Sequence, residues 1–380
     1  MQFTEEQILI SDMAAKLCVD EIAPKAGVRD KEKTFPKGEL DALFEAGLMG
    51  MMVDPKYGGS GTDQLSQTLV IEHIARHNAG LSTIVCVHAM VCGILSDYAS
   101  EEQKEKFLKP LTKDSVAAFA LTEAGAGSDA SAIRTTAVKD GDDYIINGTK
   151  QFITSGKIGK IAIVFAVTDK NAGKKGISAF IVPTNTKGYS APHIEEKMGQ
   201  HCSDTAQLVF EDMRIPSENM IGKEGDGYKL ALANLESGRI SIAAQSLGLA
   251  RAAYTEAIGY SKERKTFGKA IIEHQAVGFK LVDMKTKMVA ASHMVYEAAA
   301  MRDAKKPCLE QACMAKLYTS EVAEEIAKDA IQIHGGYGYL CDFPIERIYR
   351  DGRVCSIYEG TSDIQKLIIL KEITKNVQRL

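Results

Sequence analysis

Several common signatures of cofactor and metal sites are missing from this 380-residue sequence. It contains neither GxGxxG nor GxxxxGK[ST], so it predicts neither a Rossmann dinucleotide pocket nor a Walker phosphate loop. Its eight histidines show no HExxH spacing, and its eight cysteines form no CxxC pair. The sequence therefore predicts no metal site, and any nucleotide cofactor must be bound by a different geometry.

The sequence also lacks a strong charge imbalance and a targeting segment. The formal net charge is −4, which gives no electrostatic reason to expect nucleic acid or an anionic membrane as partner. A chain of this length can bury a core without disulfide staples, so reduced thiols are expected. The N-terminus has no secretory signal, and the apolar segment 81–95, about 15 residues, is shorter than the roughly 20 that cross a bilayer. We expect a cytoplasmic protein, or one in the mitochondrial matrix for a processed eukaryotic form.

Hydrophobic periodicity divides the chain into three parts. The first part is helical: Thr4 with Gln7 forms a capping box, and Leu9, Met13 and Leu17 share one face of a helix that Pro24 is expected to end. The second part has short runs rich in Val, Ile and Phe, one of which precedes the hairpin-type pair 147–148, Asn-Gly. The third part predicts a bundle of four long helices, at about 227–259, 273–303, 309–333 and 362–375.

Three short segments could carry chemistry. The glycines of 120–129 would let backbone N–H groups approach a ligand, although a surface turn explains them equally well. The glycines of 332–339 follow a helix, where they indicate a C-terminal cap, and His334 alone earns no role. In the third segment Ser362 with Gln365 predicts a helix start. Glu359, on the preceding turn, is either a solvated surface residue or a base that projects into a cleft with a raised pKa.

Taken together, these segments resemble the acyl-CoA dehydrogenase family over essentially the whole chain. The matching stretches occur in the family's order and spacing, at 121–123, 127–129, 147–150, 152–154, 197–199, 263–268, 332–336, 350–351 and 358–361. The resemblance implies an α+β fold: an N-terminal all-α domain (1–115), a central β-barrel-like domain (116–225) and a C-terminal four-helix bundle (226–380).

The resemblance also implies FAD as cofactor, bound between the β domain and the bundle of a homo-oligomer, usually a tetramer. The positions expected beside the isoalloxazine or the pyrophosphate are Leu121, Thr122, Gly127 and Ser128, with Phe152 and Thr154 against the ring. The positions expected to reach the FAD of a neighbouring subunit are Arg264, Phe267 and Gln275. The adenosine portion is expected at Gln332, Gly335 and Gly336, with Thr361 and Gln365 also close.

The mechanism implied by the resemblance uses Glu359 as the base. Glu359 removes the α-proton of an acyl-CoA thioester while the β-hydride passes to flavin N5, and its backbone N–H forms an oxyanion hole with a flavin ribityl hydroxyl. The product is a trans-2-enoyl-CoA, and electrons pass on to an electron-transferring flavoprotein. The substrate-binding positions implied by the match are Ser128, Glu236, Arg239, Tyr358 and Gly360.

Departures within the family narrow the substrate. Isovaleryl and long-chain types carry the base where this chain has Gly238, so Glu359 favours the short- or medium-chain arrangement. Phe152 replaces a tryptophan that often lies against the flavin, and the chain has no tryptophan. Ser82 stands where a glutaryl type is expected to have an arginine, which argues against a dicarboxylate. A straight acyl chain of short to medium length is therefore expected.

Three other functions stay open at this point. The chain could be a dehydrogenase for a branched or cyclic acyl group, or an acyl-CoA oxidase that uses oxygen, although oxidases of this kind are typically longer. It could also be a catalytically silent acyl-CoA-binding scaffold. The presence of Glu359 argues against the scaffold.

Overall fold

The computed structural model describes residues 2–376 and has the predicted order of helices, sheet and helices. The N-terminal helices are α1 (Glu5–Leu17), α2 (Ala23–Glu32), α3 (Lys37–Glu45), α4 (Gln64–His77), α5 (Ala79–Tyr98), α6 (Glu101–Gln103) and α7 (Lys109–Leu111). The strands of the central sheet are β1 (Ala117–Ala120), β2 (Thr136–Asp140), β3 (Asp143–Thr154), β4 (Ile161–Val167), β5 (Ile177–Pro183), β6 (Tyr189–Ile194) and β7 (Thr205–Pro216).

The C-terminal part contains the remaining elements. They are α8 (Gly227–Glu263), the short hairpin β8 (Lys265–Thr266) and β9 (Lys269–Ala270), α9 (Gln275–Asp303), α10 (Leu309–His334), α11 (Ile345–Gly352) and α12 (Ser362–Asn376). α10 packs against α8, α9 and α12, as expected of a bundle. The predicted fold class is confirmed, whereas the exact bounds at residues 115 and 225 stay a prediction.

The first helices correct two expectations. The capping box at Thr4 and Gln7 is present. However, Pro24 does not end a helix: it lies in the first turn of α2, where a missing N–H costs nothing. The predicted apolar face is also wrong, because the side chains of Leu9 and Met13 are 69% and 43% exposed, and it is the other face of α1 that packs inward.

Helix α5 is longer than the sequence indicated. It has 20 residues, and its most apolar 18-residue window has a mean hydropathy of 1.9, so it has the length and composition of a membrane span and the prediction that it is too short is wrong. However, 78% of the residues in that window are buried within the protein, where the helix packs against α4, α8 and β1. This burial identifies α5 as a core helix and places it beside α8, where both flank the site described below.

The Asn147-Gly148 pair corrects a further prediction, because it lies inside β3 and makes no hairpin turn. The β2–β3 hairpin turns earlier, at 141–142, between the paired residues Asp140 and Asp143. At Gly148 the pairing of β3 with β7 is irregular, and a Cβ atom there would lie 2.7 Å from the Cα of Thr135. A glycine is needed here because two chain segments approach each other closely. The Asn-Gly dipeptide alone does not indicate this approach.

The β sheet separates two cores. Its strand order is β1-β4-β2-β3-β7-β6, with β5 on the other side of β4. Because successive side chains of a strand point to opposite faces, Ile163 and Phe165 of β4 join a core with α5 and α8, while Ala162 and Val164 join a core formed by the strands themselves. A strand buried on both faces is therefore hydrophobic throughout. A third core joins α4 and α5 to the bundle helices, so the helices of both ends of the chain meet along α8.

Candidate active site

Glu359 lies on a strained turn before α12. Its φ is 52°, in the left-handed region that non-glycine residues rarely adopt, and Gly360 follows with a φ of 88°. The side-chain amide of Gln365 donates to the carbonyls of Glu359 (3.1 Å) and Gly360 (2.8 Å). Helix α12 starts at Ser362, as predicted, but its cap is Thr361, whose hydroxyl accepts from the Ile364 N–H, and not Ser362. Gln365 is buried and stabilises the turn instead.

The turn points the Glu359 side chain into a small cavity. The cavity has a volume of about 10 Å³ and is lined by Thr83, Cys86, Val87, Met90, Gly238, Ile242, Tyr358 and Glu359. These residues come from α5, α8 and the turn. Within the described residues, the Oε2 atom of Glu359 is buried without a hydrogen-bond partner. Burial among these side chains raises the pKa of Glu359, partly offset by the charges of Arg239 and Lys316.

Gly238 of α8 makes room for this carboxylate. A Cβ atom at this position would lie 3.0 Å from Oε2 of Glu359 and 3.6 Å from the sulfur of Met90. A carboxylate carried by residue 238 would therefore enter the space that Glu359 occupies. Position 238 and position 359 face the same point, which is the geometric counterpart of the sequence argument that only one of them carries the base.

Two buried cations lie near Glu359. Arg239 is 4% exposed, and its Nε has no hydrogen-bond partner within the described residues. Lys316 of α10 is fully buried, and its Nζ donates to the Gly360 carbonyl at 2.8 Å. Arg239 was predicted from the sequence as a substrate-binding residue, whereas Lys316 was not. A lysine among Ala312, Ala315 and Thr319 interrupts the buried stripe of α10, and this interruption is the signal that could have identified it.

A buried network of polar side chains adjoins the cavity at Thr83 and Tyr358, and this side of the cavity is called its inner end. The Gln245 amide lies 2.8 Å from the Ser82 hydroxyl and 2.7 Å from the Thr83 hydroxyl, to which it donates. The Tyr358 hydroxyl donates to the Gln245 carbonyl oxygen, and Thr83 donates to the Gln200 side chain at 2.6 Å. Gln200 and Gln245 were not recognised in the sequence, because a glutamine in a helix or loop gives no signal until its neighbours are known.

The predicted ring-binding residues of the β domain lie together. The Lys150 ammonium donates to the Leu121 carbonyl and to Glu123, and the Gln151 N–H donates to the Thr122 carbonyl, so the 121–123 segment is tied to β3. Phe152 follows on β3 with a φ of 60° and a side chain 60% exposed. Thr154 ends the same strand and is half-buried.

An exposed phenylalanine held in the left-handed region next to fixed backbone groups is suited to a flat aromatic ligand. Gly127 and Ser128 lie on the exposed loop that follows the 121–123 segment. A Cβ atom at residue 127 would meet no other atom within 4 Å. This open loop leaves space beside the tied segment for a large group. The residues present therefore fit a flavin.

The residues predicted to contact a neighbouring subunit form a separate exposed group. Phe267, at the tip of the β8–β9 hairpin, is 97% exposed, and its ring lies 6.0 Å from that of His274, which precedes Gln275. Arg264 lies over the ring of Tyr337 at 5.9 Å, beside the exposed residues Gln332, Gly335 and Gly336. Within residues 2–376 no hydrogen bond or ion pair joins this group to the Phe152 group.

Glu236 has a partner inside the protein. It accepts from Arg302 at 3.1 Å and from the Cys308 thiol at 3.2 Å. Its predicted contact with substrate therefore stays a prediction. The other predicted substrate positions are spread. Tyr358 lines the cavity, Arg239 and Gly360 directly follow the lining residues Gly238 and Glu359, and Ser128 lies on an exposed loop.

Three family models match the chain. They describe the N-terminal domain of acyl-CoA dehydrogenase (residues 4–115), its middle domain (118–213) and its C-terminal domain (225–374). Together the matched ranges cover most of the described residues.

Similar proteins include both dehydrogenases and a reductase. An acyl-CoA dehydrogenase of Bacillus subtilis is 44% identical, over 98% of each chain. A short-chain specific acyl-CoA dehydrogenase of Clostridium acetobutylicum is 41% identical, over 97% of this chain and 98% of the relative. An NADH-linked acryloyl-CoA reductase of Anaerotignum propionicum is 40% identical, over 98% of this chain and 95% of the relative.

Solved structures give the same assignment. Butyryl-CoA dehydrogenase of Megasphaera elsdenii superimposes with a TM-score of 0.97 at 40% identity, over 98% of this chain and 99% of the other. A chain in a structure of the electron transferring flavoprotein of Acidaminococcus fermentans has a TM-score of 0.97 at 43% identity, over 98% and 99%. Glutaryl-CoA dehydrogenase of Mycobacterium smegmatis in complex with FADH2 has a TM-score of 0.93 at 29% identity, over 98% and 95%.

Proposed function

The chain belongs to the acyl-CoA dehydrogenase family, and on that premise we propose that it oxidises a straight, short- to medium-chain acyl-CoA to the trans-2-enoyl-CoA with Glu359 as the base. The observation that carries this proposal is the Oε2 atom of Glu359, which is buried at an apolar cavity and has no hydrogen-bond partner within residues 2–376. A carboxylate in such a place is poised to accept a proton from a bound carbon acid.

The cofactor is FAD, which when bound accepts the β-hydrogen of the substrate as hydride. Leu121, Thr122, Phe152 and Thr154 would hold its ring. Glu359 takes the α-proton on its Oε2, which has no competing hydrogen bond within residues 2–376. The Glu359 backbone N–H, presented by the left-handed turn, donates to the thioester oxygen and stabilises the charge that develops there. A bound acyl chain excludes water from the cavity and strengthens these interactions.

The inner end of the cavity supports a short acyl chain. A chain that extends past Thr83 must separate this hydroxyl from the amides of Gln200 and Gln245. Leaving a buried polar group without its partner costs about 1–3 kcal/mol per group. The polar network at the inner end therefore disfavours long chains.

Electron transfer and assembly follow the expectations from the family. The electron acceptor is an electron-transferring flavoprotein, and the enzyme is a homo-oligomer, in the tetrameric form usual for the family, that works in the cytoplasm. The exposed Phe267 and the exposed apolar residues Phe279 and Val282 of α9 support assembly, because large apolar side chains in contact with water favour a protein partner.

An anaerobic titration tests the proposed reaction. Protein loaded with FAD is mixed with butyryl-CoA and separately with octanoyl-CoA, and the flavin absorbance near its visible maximum is followed. Butyryl-CoA is expected to bleach the flavin, with octanoyl-CoA slower, and Glu359→Gln is expected to bind FAD but lose about 10³-fold or more in the bleaching rate. A Glu359→Gln protein that bleaches like the wild type would disprove the assigned base. Turnover with oxygen matching turnover with the flavoprotein would instead indicate an oxidase.

Reduction of a 2-enoyl-CoA is a second candidate for the direction in the cell. It is favoured by the acryloyl-CoA reductase that is 40% identical to this chain. The same residues serve both directions, since Glu359 would return the proton that it removes in the forward reaction. Rates measured with reduced flavoprotein and crotonyl-CoA, against those with oxidised flavoprotein and butyryl-CoA, distinguish the two.

A further inference from the structure

Lys316 is the one fully buried charged residue of α10, and it faces the turn that carries Glu359. Its Nζ donates to the Gly360 carbonyl at 2.8 Å. Within residues 2–376 no carboxylate lies within 4.0 Å of this ammonium, so it has no ion-pair partner. Burying a charge without a paired charge is costly, and such lysines persist where their surroundings use them.

The turn that Lys316 holds is strained. Glu359 and Gly360 both have positive φ, and the glutamate at 52° is in a region that costs a non-glycine residue about 1–3 kcal/mol. Two side chains hold the turn from different helices: Gln365 of α12 donates to both carbonyls, and Lys316 of α10 donates to that of Gly360. A strained conformation fixed from two sides presents its side chain in a single direction.

Lys316 also determines the charge around the carboxylate. The titratable groups that surround Glu359 come from α5 (Cys86), α8 (Arg239), α10 (Lys316 and Cys313) and the segment before the turn (Cys355 and Tyr358). Only Arg239 and Lys316 carry a positive charge at neutral pH, and both lower the pKa of Glu359 against the larger effect of burial. Burial in turn lowers the pKa of Lys316 to about 8.

We propose that Lys316 is a positioning residue for the α-proton abstraction: it fixes the Gly360 carbonyl, thereby aims the Glu359 carboxylate and N–H at the thioester, and places a positive charge near the carboxylate. The proposal rests on the proposed function, because it assigns Lys316 a role in the reaction at Glu359. It predicts that loss of Lys316 impairs the chemical step more than substrate binding.

Three variants separate the parts of this role. Lys316→Met removes the charge and the donor at similar volume. Lys316→Gln keeps a donor without charge. Lys280→Met is the control, since Lys280 of α9 pairs with Asp329 of α10 and neither residue lines the cavity. For Lys316→Met, kcat is expected to fall about 10²-fold with KM for butyryl-CoA nearly unchanged. The acid limb of the kcat/KM profile is expected to move up by about one pH unit.

Infrared spectroscopy gives a readout that does not depend on turnover. The band of the protonated Glu359 carboxyl group, assigned by its loss in Glu359→Gln, is titrated in each protein. Its midpoint is expected at higher pH in Lys316→Met and in Lys316→Gln, and unchanged in Lys280→Met. Lys316→Gln is expected to retain more of kcat than Lys316→Met, because it still donates to the Gly360 carbonyl.

The outcomes separate this proposal from the proposed function. If Lys316→Met keeps kcat within twofold of the wild type and the infrared midpoint does not move, Lys316 has no positioning role. If Lys316→Met does not fold, Lys316→Gln replaces it and must still move the midpoint. If none of the acyl-CoA compounds bleaches the flavin of the wild type, the proposed function fails. The infrared titration still decides in that case whether Lys316 controls the ionisation of Glu359.

Discussion

Glu359 combines three conditions that a carboxylate base needs, and each is a property of single residues around it. The left-handed φ of Glu359 determines where its side chain points, and Gly238 leaves space for the carboxylate. Arg239 and Lys316 provide positive charge near it. The sequence singles out Glu359 and Gly238, because one belongs to a motif and the other is a position that varies between family branches. It could not find Lys316, whose contact with Gly360 joins residues 44 positions apart.

The limited space beside Gly238 predicts that adding one methyl group, in Gly238→Ala, lowers the activity. In Gly238→Ala the new Cβ would lie 3.0 Å from the Glu359 carboxylate, so the carboxylate must shift by a few tenths of an ångström. We expect kcat/KM for butyryl-CoA to fall about tenfold, since small misplacements of a reacting group are costly. The helix itself is not weakened, because alanine is favoured over glycine inside helices by about 1 kcal/mol.

The matched control for this variant lies on the same helix. Gly259 also belongs to α8, and a Cβ there would meet nothing within 4 Å. Gly259→Ala is expected to raise the melting temperature without changing kcat/KM. Equal activity of Gly238→Ala and wild type would show that the base does not depend on the space at residue 238.

At the scale of the elements, the inner end of the cavity is where two helices and a loop of the β domain meet. Gln245 of α8 reaches Ser82 and Thr83 of α5, and Gln200 of the loop reaches Thr83. The sequence predicted the long helix α8 and showed the apolar segment 81–95 that lies in α5. It could not give the cavity depth, which depends on which side chains of three distant segments meet.

The network predicts how chain-length preference responds to Gln245→Ala. Removal of the amide opens the inner end of the cavity and leaves the hydroxyls of Ser82 and Thr83 without their donor. The ratio of kcat/KM for octanoyl-CoA to that for butyryl-CoA is expected to rise about tenfold, the effect of one or two methylenes in an apolar pocket. The free energy of unfolding is expected to fall by about 1–3 kcal/mol.

Ser246→Ala is the control for this experiment. Ser246 is buried next to Gln245, but its hydroxyl donates to the Ile242 carbonyl of its own helix. Its chain-length ratio is expected to equal that of the wild type. A Gln245→Ala enzyme with an unchanged ratio would show that the hydrogen-bonded network of Gln245 does not determine the preferred acyl chain length.

At the scale of the whole molecule, the order of helices, sheet and helices could be predicted because periodicity is a local property of the sequence. Helices α9 and α10 lie within a few residues of their predicted ends. The errors occur where tertiary contacts decide. Leu9 and Met13 form an apolar stripe that is exposed, and Asn147-Gly148 is a turn pair inside a strand. In both places, distant segments determine which face is covered or which residue must be small.

Asp351 of α11 joins the C-terminal part to the β domain and gives a prediction for the stability of the whole fold. Its carboxylate accepts from the Gln200 N–H, and the Gln200 amide donates to the Asp351 carbonyl at 3.0 Å. Gln200 in turn lies against Thr83 at the cavity, so this contact ties the loop of the β domain to both helical parts. Burial raises the pKa of Asp351 to about 6.

The raised pKa sets the sign of the pH dependence. In the unfolded chain an aspartate titrates at about 3.9, so between that value and about pH 6 the folded protein binds more protons than the unfolded chain. The stabilisation from this group is therefore full below about pH 4 and is lost as the pH rises to about 6, by up to about 3 kcal/mol.

The variant Asp351→Asn tests this dependence, because it cannot ionise and keeps an acceptor oxygen. Relative to wild type, its melting temperature is expected to gain steadily between those two pH values, while Asp142→Asn, at an exposed position, shows no such gain. Parallel curves for Asp351→Asn and wild type would mean that Asp351 stays ionised in the fold, and that its contact with Gln200 is an ordinary charged hydrogen bond.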